Sequence, residues 1–247
     1  MSAKETWIIL GASSAIGRAF ARALARPDVR LVLAGRDMDD LRATAADVAV
    51  ASGAEAEPVF FDAVAFASHA VLAEAWGSGE GALNVVLVFG LMPEQGAIDA
   101  DPALARATID ATFTGAVSIL HYLAPHLERR KTGIVIGIGS VAGDRGRLKN
   151  YVYGAAKAGL HTYLAGLRNR LARSGVHVLT VKPGFVDTAM TWGLPGLFLV
   201  ASPEKIARTS LAAAAKGKNV CYVPGFWRLI MLIIRAIPER IFKRLSI

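Results

Sequence analysis

The sequence predicts a doubly wound α/β fold, with one parallel sheet of about seven strands and helices on both faces. Three observations carry that reading. Short apolar runs alternate with helix-spaced segments from Thr6 to Val223. Runs such as Val85-Val86-Leu87-Val88-Phe89 are apolar at successive positions, as strands buried on both faces are. The first run passes through a turn of small residues straight into a helix, which aims backbone N–H groups at one point.

Thr6 to Leu10 is the first strand, Gly11 to Gly17 the turn, and Arg18 to Ala25 has helical spacing. Leu31 to Ala34 is the second strand, followed by an Ala-rich helix from Arg36 to Ser52. Pro58 to Phe61 is the third strand, ending at Asp62; Ser68 to Trp76 is helical and Val85 to Phe89 is the fourth strand. Pro102 to Arg130 reads as one long helix with proline in its first turn. Ile134 to Gly139 is the fifth strand and ends at Ser140. A helix from Tyr151 to Arg173, a sixth strand from Val176 to Val181, a helix from Pro203 to Ala215 and a seventh strand from Val220 to Val223 complete the pattern.

The chemistry-bearing set is Ser140, Tyr153 and Lys157. A phenol and an ammonium four residues apart share one helix face. A free tyrosine titrates near pH 10, at about the reference value. A neighbouring cation favours the phenolate and is expected to bring that value down. Such a phenol passes a proton to a carbonyl oxygen as hydride arrives. Ser140 closes a strand at its carboxyl end, where ligands of open α/β sheets bind. The small residues of the turn let a pyrophosphate approach the backbone, although the spacing is not Gly-x-Gly-x-x-Gly. At the end of strand two, Arg36 favours the extra phosphate of NADP(H) and Asp37 beside it opposes that phosphate; the balance leans to NADPH.

Over roughly residues 5 to 225 the chain resembles the short-chain dehydrogenases/reductases. Gly11 and Gly17 match the outer glycines of Thr-Gly-x-x-x-Gly-x-Gly, while Ala15 replaces the middle one and Leu10 the threonine. Val88-Phe89-Gly90 stands where Asn-Asn-Ala-Gly is usual. Ser140, Tyr153 and Lys157 keep the family spacing, and Pro183-Gly184-Phe185-Val186-Asp187-Thr188 matches the segment beside the nicotinamide. The resemblance implies a Rossmann-type fold and a nicotinamide cofactor, NAD(P)H. Its contacts would be Gly11, Ser13, Ser14, Ile16, Gly17, Arg36, Asp62 (beside the adenine), Gly90, Tyr153, Lys157, Pro183, Gly184, Val186 and Thr188. It also implies catalysis by Ser140, Tyr153 and Lys157, and a homo-oligomer. The family's relay asparagine falls at Thr112, which can hold a water but lacks an amide's geometry.

The net charge of +8 raises nucleic acid, membranes and anionic substrates together. No nucleic-acid motif or aromatic-basic loop is present, so nucleic acid is set aside. The one cysteine, Cys221, allows no intrachain disulfide, and the five histidines show no metal-ligand spacing; no metal is expected. No leader segment is visible, and the cytoplasm is the expected compartment.

The sequence divides into a dinucleotide-binding and catalytic domain, 1–225, and an amphipathic tail, 226–247. The tail interleaves Trp, Phe, Ile and Leu with Arg and Lys, and its apolar run from Leu229 to Ile234 is far shorter than the about 20 residues needed to span a bilayer. It suits either a helix lying in the headgroups of an anionic membrane, on the inner face, or packing on its own domain or a partner. Within the family, this tail and the basic stretch Asp144 to Lys149 resemble enzymes acting on polyprenyl-phosphate-linked keto sugars. That resemblance implies reduction of the 2-keto group of a lipid-linked pentofuranose, with a flavoenzyme oxidase as partner. Arg145, Arg147 and Lys149 would then bind the phosphate, and the apolar segment Thr191 to Val200 would cover a prenyl chain. The alternatives are another lipophilic ketone, or a nucleotide-sensing protein without turnover.

Overall fold

The structure, a computed structural model, describes residues 5–189 and 199–245. Its strands are β1 (Glu5–Leu10), β2 (Val29–Gly35), β3 (Glu55–Phe60), β4 (Ala82–Leu87), β5 (Ile134–Ile138), β6 (His177–Pro183) and β7 (Val220–Val223). They form one sheet in the order β3-β2-β1-β4-β5-β6-β7, and every pairing is parallel. The strand order reverses between β1 and β4, so a crevice opens there at the carboxyl ends.

The helices are α1 (Ala15–Leu24), α2 (Met38–Ser52), α3 (Phe66–Gly77), α4 (Gln95–Ala100), α5 (Pro102–Ile109), α6 (Gly115–Arg130), α7 (Tyr151–Ala172), α8 (Pro203–Ala215), α9 (Trp227–Ala236) and α10 (Glu239–Phe242). One face of the sheet is covered by α1, α2 and α8 through Phe20, Leu24, Leu41, Val48 and Ile206. The other is covered by α3, α6 and α7 through Trp76, Ile119, Leu123, Leu160 and Leu164. Ile8, Leu10, Val85 and Leu87 point to the second layer while Ile9 and Val86 point to the first, which is why these strands are apolar at successive positions.

Several boundaries differ from the sequence expectation. The helix expected over 102–130 is interrupted by a π-helical turn, Asp110–Thr114, with Thr112 fully buried in it. Gly115 follows because a Cβ there would stand 2.3 Å from the Ala63 carbonyl oxygen. β3 begins at Glu55, earlier than expected, because an edge strand can be polar on its open side. The short α4 has no hydrophobic period long enough to announce it. Of the expected cover over a lipid chain, residues 191–198 lie outside the described residues.

Candidate active site

At the end of β1 the chain must turn sharply into α1. Gly11 takes φ +93°, and a Cβ on Gly17 would lie 2.3 Å from the Gly11 carbonyl oxygen. Only glycine meets both demands. Ser14 caps α1: its Oγ accepts from Gly17 N at 3.0 Å and donates to Gly11 O at 2.8 Å. The turn therefore presents Ser13, Ser14, Ala15 and Ile16 to the cleft, at a helix end whose first N–H groups have no intrahelical acceptor. Gly11 and Gly17 shape the turn without lining the cleft. This cradle fits a pyrophosphate.

The cleft has a volume of about 780 Å³ and a mainly apolar wall. Ser140, Tyr153 and Lys157 meet inside it, with Gly90, Pro183, Gly184, Val186 and Thr188 around them. Ser140 follows β5 and caps a 3₁₀ turn, Val141–Asp144, its Oγ accepting from Ala142 N at 3.1 Å. Its hydroxyl also favours the ionised form of the Tyr153 phenol. Tyr153 and Lys157 come from the first turns of α7 and are 6 % and 3 % exposed.

Here the structure corrects the electrostatic expectation. Burial pushes the Tyr153 phenol up to about 12, and the Ser140 hydroxyl only partly opposes this. Burial pushes Lys157 down to about 8. The Lys157 Nζ donates to the Ile138 carbonyl oxygen at 2.8 Å and lies 5.8 Å from the phenol ring centroid. The phenol is thus held in its protonated form, the form a proton donor needs.

Thr112 is also spoken for. Its Oγ1 accepts from Leu91 N at 3.0 Å and donates to Leu91 O at 3.2 Å. Its hydroxyl proton serves the main chain rather than a relay water, as the sequence had allowed.

Sequence reasoning missed a second layer behind Ser140. The Ser140 N–H donates to His161 Nε2 at 3.3 Å. The imidazole fills a slot between Gly139 and Gly143, where a Cβ would stand 2.3 and 2.7 Å from it. Burial, with Lys182 nearby, holds His161 neutral, its value pushed down to about 3. Its Nδ1 faces Asp144 Oδ1 at 3.7 Å, and Asp144 accepts from Lys182 Nζ and from Tyr222 OH.

Arg36 and Asp62 stand outside the cleft lining. Arg36 is exposed and directly follows Gly35, whose Cα faces Ser13 Oγ closely enough that a Cβ would sit 3.1 Å away. Asp37 caps α2 by accepting from Asp40 N at 3.0 Å, so it is turned to the helix rather than to a ribose phosphate. Asp62 accepts from Val64 N at 3.1 Å.

The tail forms one wall of the site. Trp227 covers Gly184, leaving no room for a Cβ there, and packs with Met231 and Val141. Trp227, Ile230 and Ile234 line the cleft. Arg145 does not face the cleft, contrary to its expected phosphate role. It donates to the carbonyl oxygens of Ile234 and Ile237, pairs with Glu239 at 2.9 Å and lies 3.6 Å from the Phe242 ring centroid. Arg147 and Lys149 do line the cleft, and Arg147 Nε is buried with no hydrogen-bond partner among the described residues.

The profile of the short chain dehydrogenase family matches residues 5–195. An uncharacterised oxidoreductase of Mycobacterium tuberculosis (strain ATCC 25618 / H37Rv) is 34 % identical over 239 residues, 96 % of each chain. An uncharacterised oxidoreductase of Streptomyces coelicolor is 34 % identical over 244 residues, 97 % of this chain and 95 % of that one. A short-chain dehydrogenase from Sphingobium yanoikuyae, solved in complex with NADPH, has a TM-score of 0.81 at 25 % identity, covering 95 % of this chain and 97 % of that one.

Proposed function

The chain belongs to the short-chain dehydrogenase family and is an NAD(P)-dependent oxidoreductase, and we propose that it is an NADPH-dependent ketoreductase for a lipophilic substrate with an anionic head. The specific substrate we infer is the 2-keto group of a polyprenyl-phosphate-linked pentofuranose, reduced to the arabinose epimer. The tail resemblance to decaprenylphosphoryl-2-keto-ribose reductase points the same way.

The observation that carries this reading is the pairing of apolar and basic groups in the cleft of Tyr153. Trp227, Ile230 and Ile234 line the same cleft as Lys149 and Arg147, whose buried Nε has no partner among the described residues. A buried guanidinium N–H without an acceptor is costly unless a ligand supplies one. Phosphate is a chemical match for a guanidinium. A neutral sterol or quinone would leave it unmatched.

A nicotinamide cofactor bound in the cleft would supply hydride. Tyr153 donates its phenolic proton to the carbonyl oxygen, and the Ser140 hydroxyl orients that oxygen and stabilises the phenolate left behind. Lys157 offers a positive charge 5.8 Å from the centroid of that ring. Ser13, Ser14, Ala15 and Ile16, which line the cleft, would hold the cofactor's pyrophosphate, and Gly90, Pro183, Gly184, Val186 and Thr188 would surround its reactive end. Two features support NADPH: Arg36 takes part in no ion pair among the described residues, and Asp37 is occupied in its cap. A flavoenzyme that oxidises the matching alcohol would supply the ketone. A cytoplasmic homo-oligomer is the assembly we infer from the family.

The test is cofactor oxidation followed by absorbance over a substrate panel. Prenyl-phosphate keto sugars should be consumed, and Arg147→Met should raise their KM while leaving that of a neutral ketone unchanged. If the phosphorylated lipids are inert and a neutral lipophilic ketone turns over, the substrate reading is wrong while the ketoreductase reading stands.

A further inference from the structure

The tail helix α9 has two apolar faces, and the domain uses only one. Trp227 and Met231 are buried, with Ile230 and Ile234 beside them on the same side. Leu229, Leu232 and Ile233 point the other way and are 62 %, 64 % and 59 % exposed. Phe226 before α9 and Ile241 and Leu245 at α10 extend the same exposed apolar character. Large side chains exposed in a cluster mark an interaction surface.

Charge says what covers it. Arg228 and Arg235 flank the outer face of α9, and Arg240, Lys243 and Arg244 follow on α10 and beyond; all five are exposed. Among the described residues none of the five is in an ion pair, and the segment's one acid, Glu239, is bound to Arg145. A second copy of the chain would bring the same five cations against these, which disfavours a two-fold contact here. An apolar stripe bordered by arginine and lysine is the pattern of a helix seated at the headgroups of an anionic bilayer. No helix among the described residues is long and apolar enough to cross one.

We propose that the outward face of α9 and α10 docks the protein on an anionic phospholipid surface. Arg145 is the latch that fixes this face. It holds the carboxyl end of α9 and the α10 ring of Phe242 against the domain, so the exposed leucines keep one orientation. The inner face of the same helix lines the catalytic cleft, so the docked surface and the cleft are separated by the thickness of one helix. The docking stands whichever ketone is reduced.

The experiment is co-sedimentation of the full chain with sucrose-loaded vesicles of phosphatidylcholine alone or mixed with phosphatidylglycerol. Its partner is a mass measurement by light scattering. Binding should appear with phosphatidylglycerol, fall with added salt, and be weak on phosphatidylcholine. Leu229→Glu/Ile233→Glu should weaken binding by at least about tenfold, from the lost apolar burial. Arg228→Gln/Lys243→Gln, which spares the apolar stripe, should weaken it by a smaller, salt-dependent factor. Both variants should bind NADPH and keep the wild-type mass. The proposal falls if the wild type ignores anionic vesicles or if the variants bind as well as it does. It also falls if the glutamate variant changes the oligomeric mass in place of vesicle binding, which would make the face an interface between copies.

Discussion

Lys157→Met should abolish reductase activity and yet relieve a stability cost, and the relief should depend on pH in a calculable way. In the folded chain burial pushes Lys157 from 10.5 down to about 8. The unfolded chain therefore holds a proton on this side chain between pH 8 and 10.5, where the folded chain has released it. Stability rises with pH wherever the unfolded state binds more protons. The cost of burying the ammonium is fully present below pH 8 and fades as pH climbs towards 10.5. It amounts to about 3 kcal/mol at pH 7 and under about 1 kcal/mol at pH 10. The variant also loses the hydrogen bond to Ile138 O, but that loss is present at both pH values and cancels in the comparison. Urea unfolding of both proteins without cofactor, at pH 7 and pH 10, reads the difference. The stability of the variant relative to wild type should be about 2–3 kcal/mol more favourable at pH 7 than at pH 10. Equal differences at the two pH values would refute the idea that Lys157 is a buried, desolvated ammonium.

The same titration should appear in kinetics: ketone reduction at saturating NADPH should hold steady through neutrality and decline above about pH 8, as Lys157 loses the charge that steadies the phenolate. A profile flat to pH 10 would remove Lys157 from that role. His161→Leu should lower stability by about 1–3 kcal/mol, since it strands the Ser140 N–H, and should lower kcat more than it changes KM. Thermal melting and steady-state kinetics check both parts. Arg145→Ala should lower Tm and raise KM for lipophilic ketones while leaving NADPH affinity unchanged, because the latch holds the α9 wall and not the α1 cradle. An unchanged KM would show that the wall does not contact substrate.

What was legible in the sequence is what adjacent elements fix by themselves. Ser140, Tyr153 and Lys157 sit at the end of one strand and on the helix that follows it, so spacing alone brings them together. The first turn was legible because glycine at 11 and 17 answers two local steric demands. The π turn at Asp110–Thr114 was not, since a one-residue change in hydrogen-bond register leaves no mark on propensity or period. Nor was the network of Asp144, whose partners Lys182 and Tyr222 lie 38 and 78 residues away in the chain. Arg145 is the instructive case. Beside Arg147 and Lys149 it reads as one more phosphate ligand, and only the fold shows its guanidinium spent on carbonyls about ninety residues downstream. The phenol is a related case: spacing reveals the neighbouring ammonium but not the depth of burial that raises the phenol.

The most direct test of the central claim is Tyr153→Phe, with NADPH affinity measured by calorimetry and turnover measured on a ketone the wild type reduces. Affinity should be unchanged while kcat falls on the order of 10²–10⁴-fold, the loss of a positioned proton donor. Wild-type turnover in that variant would contradict the assignment of Tyr153 as the group that protonates the carbonyl.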